Sequence, residues 1–291
     1  MLKIVEKFKI TGAISLAVIL IGVVCFAAFG GFAQDVDFAG GMTMYVDMGS
    51  QVDLEALAKF VESNTPENVN PIVQRSDGNQ VIIKTLPIDT AVRENLQAAL
   101  LAEYKLEEAA VLQVDNVDAT VGDELRAQAV TATLIAAVLM LIYIAIRFEF
   151  RTGLAAVICL LHDVLVMLTV YAVLRIPVNS NFIAAILTIV GYSINNTIVV
   201  FDRVRENYNK NKRGDLAELV NTSIKQTLGR SINTTVTTLL PVIMLFIFGV
   251  PSIRQFTIPL MVGLVAGTYS SVLLAGPIWV GLKKIGKGKK H

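Results

Sequence analysis

The residues able to carry chemistry in this sequence are few, and most of them sit where water does not belong. His162 and Asp163 are adjacent in the middle of an apolar run, and Thr188, Gly191, Tyr192, Ser193, Asn195, Asn196, Thr197 and Asp202 punctuate a second. Arg230 opens a third, followed by Asn233, Thr234, Thr237 and Pro241. At about 100° per residue, Thr188, Tyr192, Asn195, Asn196 and Asp202 fall within about a third of a helix circumference, and the Arg230 set shares one face by the same reckoning. An ionisable group in hydrocarbon is costly, so where one occurs it marks an ion path or a proton relay. The competing reading is structural: interhelical hydrogen bonds of about 0.6 kcal/mol each. That reading suits the Ser and Thr residues. Asp163 and Arg230, whose charge has to be managed, point to function, and His162 is open to both.

Other chemistries are poorly served. Cys25 and Cys159 both lie in apolar runs, so a Cys-x-x-Cys metal or redox pair is excluded and a disulfide is not expected. They read as small apolar side chains. The one long polar segment, residues 35–122, has no histidine, no cysteine, no Gly-rich phosphate loop and no serine-centred nucleophile motif.

The elements that must hold these polar groups are membrane-spanning helices. Only 17% of the 291 residues are charged, 54% are hydrophobic and the mean hydropathy is +0.62, whereas a soluble domain is about 25% charged. The net charge of +1 by itself favours neither an acidic nor a basic partner. Stretches 10–30, 127–146, 153–174, 180–201, 231–249 and 256–282 are each near the roughly 20 apolar residues that a bilayer core requires. Phe-Gly-Gly-Phe at 29–32 follows the first, with no Ala-x-Ala site, so it reads as a span and not a cleaved leader.

Lysine and arginine collect in residues 1–9, at Arg147 and Arg151, through the 203–230 connection and in the 283–291 tail. The very short connections after the third and fifth spans carry only Arg175 and Arg254. The positive-inside rule then places both termini in the cytoplasm and 35–122 on the far side.

Within 35–122 the pattern predicts strand 42–48, helix 52–64, strand 69–74, strand 80–86, helix 89–104 and strand 109–114. Ser76-Asp77-Gly78-Asn79 marks the hairpin turn. The order βαββαβ is the ferredoxin-like arrangement, a fold that carries no function by itself. Gly122 is expected to break the last strand and Asp123 to cap the second span. In the 203–230 connection, Asp215 and Glu218 form a capping-box pattern ahead of Leu216, Leu219, Val220, Ser223, Ile224, Thr227 and Leu228. This reads as an amphipathic helix on the cytoplasmic leaflet. Small residues recur every fourth position at Gly263, Gly267, Ser271 and Ala275, and at Ala129, Thr133 and Ala137. Such seams allow close helix approach, within the chain or against a partner. The basic tail reads as a topology determinant that would also attract anionic lipid.

Several runs carry a resemblance. They are Val36-Asp37-Phe38-Ala39-Gly40-Gly41, Val121-Gly122-Asp123-Glu124-Leu125, Arg147-Phe148-Glu149 and His162-Asp163. The most specific is Gly191-Tyr192-Ser193-Ile194-Asn195, together with the run from Val199 to Asn207. In these the chain resembles, nearly end to end, the SecF subunits of the bacterial SecD/SecF family, accessory to the protein translocase. The resemblance implies half of an RND-type transporter fold: six membrane helices and one extracytoplasmic domain, completed by SecD. It implies SecYEG, exported preproteins and YajC as partners, in the bacterial inner membrane. It implies no covalent catalysis and no cofactor beyond a coupling ion, H+ or Na+, with Asp37, Gly40, Gly41, Gly191, Tyr192 and Asn195 as motif residues.

One position departs from the family pattern G-Y-S-[IL]-N-D-[TS]. Asn196 stands where the family has an aspartate to which ion coupling is attributed, and an amide cannot bind and release a proton near neutral pH. The coupling candidates are therefore Asn196, Arg230, Asp163, His162 and Asp202, with a carboxylate from SecD a further source. A small-molecule or lipid exporter half-subunit and an uncoupled membrane scaffold are the alternatives. In a reconstituted export assay Asn196→Asp is expected to retain activity and Arg230→Ala to impair it; an unimpaired Arg230→Ala variant would remove that position from ion handling.

Overall fold

A computed structural model describes residues 3–285 apart from 67, 68, 70, 77, 118, 148, 213 and 250. The expectations for Asp77, Phe148, Arg213 and the tail from residue 286 lie outside the described residues.

Helix α1 (Phe8–Ala28) is an uninterrupted apolar segment and leads to the polar domain. That domain opens with a single turn, α2 (Val36–Ala39), then β1 (Gly41–Asp47), α3 (Leu54–Ser63), β2 (Ile72–Arg75), β3 (Gln80–Thr85), α4 (Thr90–Glu103), a 3-10 turn (Glu108–Ala110) and β4 (Val111–Val117). The strands form an antiparallel sheet in the order β2-β3-β1-β4, the ferredoxin-like topology. Alternation fixes its faces. Met42, Met44, Val46 and Met48 point one way with Val81 and Ile83, and they pack on Leu57 and Val61 of α3 and Leu96 and Leu100 of α4. Asp53 caps α3 by accepting from Glu55 N at 2.9 Å.

The remaining spans are α5 (Ala119–Arg147), α6 (Phe150–Leu174), α7 (Ser180–Lys210), α8 (Leu216–Phe248) and a last span in three parts. These parts are α9 (Pro251–Tyr269), a π-helical turn (Ser270–Leu274) and α10 (Ala275–Ile285). With α1 they make, among the described residues, six helices long and apolar enough to cross a membrane. The bundle core is built by α6, α7, the last span and the first half of α8. Met167, Tyr171, Phe182, Ile186 and Ile189 cluster near the soluble domain, and Phe201, Val204, Val220, Ile224 and Trp279 cluster at the opposite end. Side chains such as Val24 of α1, and Leu134 and Ile146 of α5, are exposed, as lipid-facing surface should be.

The seam in the last span is spent inside the chain. A Cβ on Gly263 would lie 2.5 Å from Ile189 Cγ1, and one on Gly267 would lie 3.1 Å from Ser193 Cβ. The seam thus sets the close approach of α9 to α7.

Two local expectations change. The amphipathic stretch after Asp215 is not a separate surface helix. It is the first half of α8, capped by the Asp215 carboxylate and continuous with the fifth span. Its apolar face buries Val220 and Ile224 against Trp279 and Val280, because a partner face was available within the chain and burial there is complete. Asn221 also grips the N-terminal turn: its Oδ1 accepts from Ile4 N and Val5 N at 3.0 and 3.1 Å. Its Nδ2 donates to Glu6 Oε2 at 3.0 Å, and this hydrogen bond holds the Glu6 carboxyl below its usual value.

The second change concerns Gly122, which does not break the last strand, and Asp123, which does not cap the second span. Helix α5 already begins at Ala119, and Gly122 sits inside it where a Cβ would meet Phe38 O at 3.0 Å and Gly40 N at 3.1 Å. Gly122 is the point at which the second span crosses the α2 turn. Gly41 has φ +144°, and a Cβ there would collide with the Thr85 carbonyl. Gly41→Ala is expected to cost about 2 kcal/mol or more. For a domain of this size that lowers the thermal midpoint by about 4–8 °C per kcal/mol, readable by thermal unfolding of the detergent-solubilised chain.

Candidate functional site

Asp163 lies at the middle of α6 and has no solvent-exposed surface. Three helices converge on its carboxylate. Ser193 of α7 donates to Oδ2 at 2.5 Å and Ser270 of the π-turn donates to the same oxygen at 2.9 Å. His162 Nδ1 lies 2.9 Å from Oδ1. The π-turn has a physical use here. Adding a residue to the turn swings successive side chains out of α-helical register. Ser270 thereby reaches Asp163, while Ser271 bonds Thr197 Oγ1 of α7 at 2.8 Å and Gly267 O at 2.7 Å.

The outer side of the imidazole continues the network. His162 Nε2 is 3.0 Å from Ser15 Oγ of α1, Ser15 Oγ is 3.5 Å from Tyr269 Oη, and the Tyr269 hydroxyl donates to Thr11 O at 2.8 Å. A carbonyl can only accept, so the tyrosine proton points at Thr11 and its oxygen is free to accept from Ser15. When Ser15 donates to Tyr269, it accepts from His162 Nε2–H. With Nε2 protonated, Nδ1 and Asp163 Oδ1 have one proton to share between them. The pair is net neutral whether that proton sits on the imidazole or the carboxyl, and taking it away leaves an uncompensated negative charge inside the bundle. His162, Ser15 and Tyr269 also line a recess of about 490 Å3 between α1, α6 and α9, otherwise walled by apolar residues such as Val166 and Val265.

Helix α7 carries Ser193 at the site and reaches the soluble domain at its N-terminus. Asn179 caps it by accepting from Phe182 N at 3.1 Å, and donates from Nδ2 to Asp35 Oδ2 at 3.3 Å. Ser180 N donates to Asp37 Oδ2 at 3.1 Å, an anion at the positive end of a long helix. Lys84 of β3 reaches both Asp35 oxygens, at 2.9 and 2.8 Å. Backbone bonds from Asp35 N to Val178 O and from Val178 N to Ala33 O complete the clasp. The Asp37-Phe38-Ala39-Gly40-Gly41 motif is therefore the joint between sheet, α5 and α7.

Of the residues singled out from the sequence, the structure brings His162, Asp163 and Ser193 together and holds Asn196, Arg230 and Asp202 apart from them. Asn196 is buried, with an amide nitrogen lacking any hydrogen-bond partner among the described residues. Ser231 Oγ is likewise buried and unpartnered. One turn away, Tyr192 Oη donates to Thr235 Oγ1 at 2.9 Å. Arg230 and Asp202 are exposed, each without a hydrogen bond or ion pair to the described residues. Thr188, Gly191 and Asn195 are also exposed. Gly191 and Asn195 line a groove of about 440 Å3 between α7 and α5. The expectation that Asn196 shares a face with Thr188 and Asn195 is corrected. Asn195 and Asn196 are consecutive, so about 100° separates them, and one faces outward while the other faces inward. The sequence reading passed over Ser15, Ser270, Tyr269, Asp35, Asn179 and Lys84. Only the Asn179-Ser180 N-cap signature offered a local clue to any of them.

The family described as "Protein export membrane protein SecD/SecF, C-terminal" matches residues 97–285. The protein translocase subunit SecF of Alicyclobacillus acidocaldarius is 39% identical, with 97% of this chain and 94% of that protein aligned. The SecF of Haemophilus influenzae is 39% identical over 92% of this chain and 82% of that protein. Among solved structures, SecDF from Thermus thermophilus, a translocon-associated membrane protein, superimposes with TM-score 0.86 at 34% identity. The match covers 99% of this chain and 39% of that one. A SecDF in a super-membrane-facing form gives TM-score 0.73 over 99% of this chain and 40% of that one.

The joint makes its own prediction. Lys84→Met leaves the Asp35 carboxylate, 5% exposed, without its cation, and loss of one partner of a buried pair costs about 3–5 kcal/mol. The soluble domain of that variant should become protease-sensitive under conditions where the parent resists cleavage, and Lys84→Arg should restore most of the resistance.

Proposed function

Since the chain belongs to the SecD/SecF family of protein-export membrane proteins, we propose that it acts as the SecF-type half of a SecDF assembly in the bacterial cytoplasmic membrane. Its termini face the cytoplasm and its ferredoxin-like domain faces the exported polypeptide. SecD supplies the other six spans of an RND-type fold, and SecYEG delivers the chain on which the assembly acts. The outward-facing polar groups Thr188, Asn195, Asp202 and Arg230 support such a pairing. Polar groups at membrane depth are more stable against protein or water than against lipid.

The work is drawn from an ion gradient, with the proton as the ion, and the His162–Asp163 pair is where this subunit takes it up. One observation carries this reading: a fully buried carboxylate lies 2.9 Å from a neighbouring imidazole nitrogen, a spacing at which the two can share a proton, and its other oxygen is held by a hydroxyl of α7. Loss of the proton strengthens the carboxylate's demand on Ser193 and Ser270, because hydrogen bonds to an ionised acceptor are about twice as strong as neutral ones. That difference tightens or loosens α7 against the π-turn. Helix α7 ends on Asp35 and Asp37, so its displacement is delivered to the sheet through Asn179, Ser180 and Lys84. Asn196 is then no obstacle, since the carboxylate assigned to proton uptake lies one helix away on α6.

Export into proteoliposomes containing SecYEG and the SecD–SecF pair tests this. Asp163→Asn keeps the shape but cannot share the proton, and is expected to reduce the gradient-dependent component at least tenfold while leaving the ATP-driven component intact. Ser193→Ala should fall between parent and Asp163→Asn. Gradient-dependent export undiminished in Asp163→Asn would rule out this pair as the uptake site.

A further inference from the structure

Ser15 of α1 has one hydroxyl proton and two acceptors for it. A serine inside a helix ordinarily donates to the carbonyl four residues back. For Ser15 that carbonyl belongs to Thr11, and it is already committed. One of its two lone pairs serves the helix, and the other accepts from the Tyr269 hydroxyl at 2.8 Å. Ser15 Oγ is left with His162 Nε2 at 3.0 Å and Tyr269 Oη at 3.5 Å.

The choice between them follows the charge of the His162–Asp163 pair. When the pair is loaded, Nε2 carries one proton, and Nδ1 and Asp163 share another. Nε2–H then donates to Ser15, and Ser15 turns its own proton to Tyr269. With one proton fewer, the proton that is left sits on Nδ1 and answers the carboxylate across 2.9 Å. Nε2 is then a bare lone pair, and Ser15 turns back to donate to it. The two states differ by one proton, taken from water and returned to it, and by the direction of one hydroxyl. The Tyr269 ring lies nearly parallel to the imidazole, with centroids 5.9 Å apart at 19°, so a cationic imidazole gains from the ring face as well. Among the described residues, the other titratable groups here are Asp163 and, donating to Ser270 O at 3.8 Å, Cys159, both on α6. Helices α1 and α7 bring the hydroxyls of Ser15 and Ser193.

Helix α1 is pinned at both ends. Asn221 of α8 grips Ile4 and Val5 at one end, and at the other Arg175 donates to Gly31 O at 2.8 Å and lies 5.0 Å from the centre of the Phe29 ring. Between these points Gly22 closes α1 on α6, where a Cβ would collide with the Thr169 side chain. Toward α9, hydrogen bonding among the described residues runs through Tyr269 alone, to Thr11 and Ser15, beside the 490 Å3 recess. At 3.5 Å the Ser15–Tyr269 bond is long, so strengthening it draws α1 and α9 together into that space. We propose that Ser15 is a positioning residue that converts proton uptake at His162–Asp163 into a pull between α1 and α9. This rests on the pair being the uptake site, and adds a second route by which its charge moves a helix, on the side away from α7.

Infrared difference spectra of the SecD–SecF pair in proteoliposomes, with and without a proton gradient, separate uptake from its transmission when export is measured on the same preparation. In the parent a tyrosine ring band should accompany the carboxyl band, and it should vanish in Tyr269→Phe. Ser15→Ala should keep the carboxyl band, which also shows that the variant is folded, and lose the tyrosine band. Its gradient-dependent export should fall about fivefold, the change implied by one neutral hydrogen bond. Ser15→Thr restores a hydroxyl and should restore both signal and export. A tyrosine band that survives in Ser15→Ala, or export by that variant at the parent level, would overturn the proposal. So would loss of the carboxyl band in Ser15→Ala, which would place Ser15 in uptake itself. A parent without any carboxyl band would instead remove the uptake site, and this role of Ser15 with it.

Discussion

A carboxylate with no exposed surface, at the middle of a membrane-spanning helix, is the constraint around which this bundle is arranged. Asp163 can be ionised there only if its charge is answered locally, because its side chain has no solvent-exposed surface. The answer comes from four directions: His162 beside it on α6, Ser193 on α7, Ser270 on the π-turn, and Ser15 on α1 behind the imidazole. Each of these requires a particular backbone approach. Gly267 permits α9 to close on Ser193, and the π-turn aims Ser270 inward while Ser271 keeps its own bond to Thr197. Close packing and polar compensation are thus one requirement and not two.

The same requirement explains why α7 can connect membrane and sheet. It is a continuous helix of 31 residues, with a rise of about 1.5 Å each, and it holds the site with its middle and the soluble domain with its first turn. A rigid element gripped at both ends transmits small displacements, whereas a loop would absorb them. The Asp35–Lys84 pair is the stiffening member at the far end. It ties the carboxylate that receives Asn179 to a central strand of the sheet, so the domain cannot slide on α7 without breaking a buried ion pair.

Much of the architecture was legible in the sequence for simple physical reasons. Runs of about 20 apolar residues have few alternatives to spanning a membrane. The alternation through Met42, Met44, Val46 and Met48, set against the leucines of α4, forces one sheet face onto two helices. The site was legible only in part. His162 and Asp163 stand out because ionisable groups are rare in such runs. Their partners do not, since Ser15, Ser193 and Ser270 are ordinary small polar residues 147, 30 and 107 positions from the residues they bond. The π-turn has no composition signature, and it alone decides that Ser270 faces Asp163. The facing of α7 was misjudged for a related reason. Grouping polar residues by angle puts Asn195 and Asn196 together, but the boundary between buried and exposed surface falls between them. The α8 helix was split too early because its amphipathic half resembles a surface helix, and only the presence of Trp279 and Val280 opposite it shows where that face is buried.

The central claim is that Asp163 gains and loses its share of a proton when the gradient changes. Infrared difference spectroscopy on the SecD–SecF pair in proteoliposomes, recorded before and after a proton gradient is imposed, reads carboxyl protonation directly. A carboxyl difference band that vanishes in the Asp163→Asn variant, while the rest of the spectrum is kept, is the predicted result. A carboxyl signal identical in parent and variant would contradict the account.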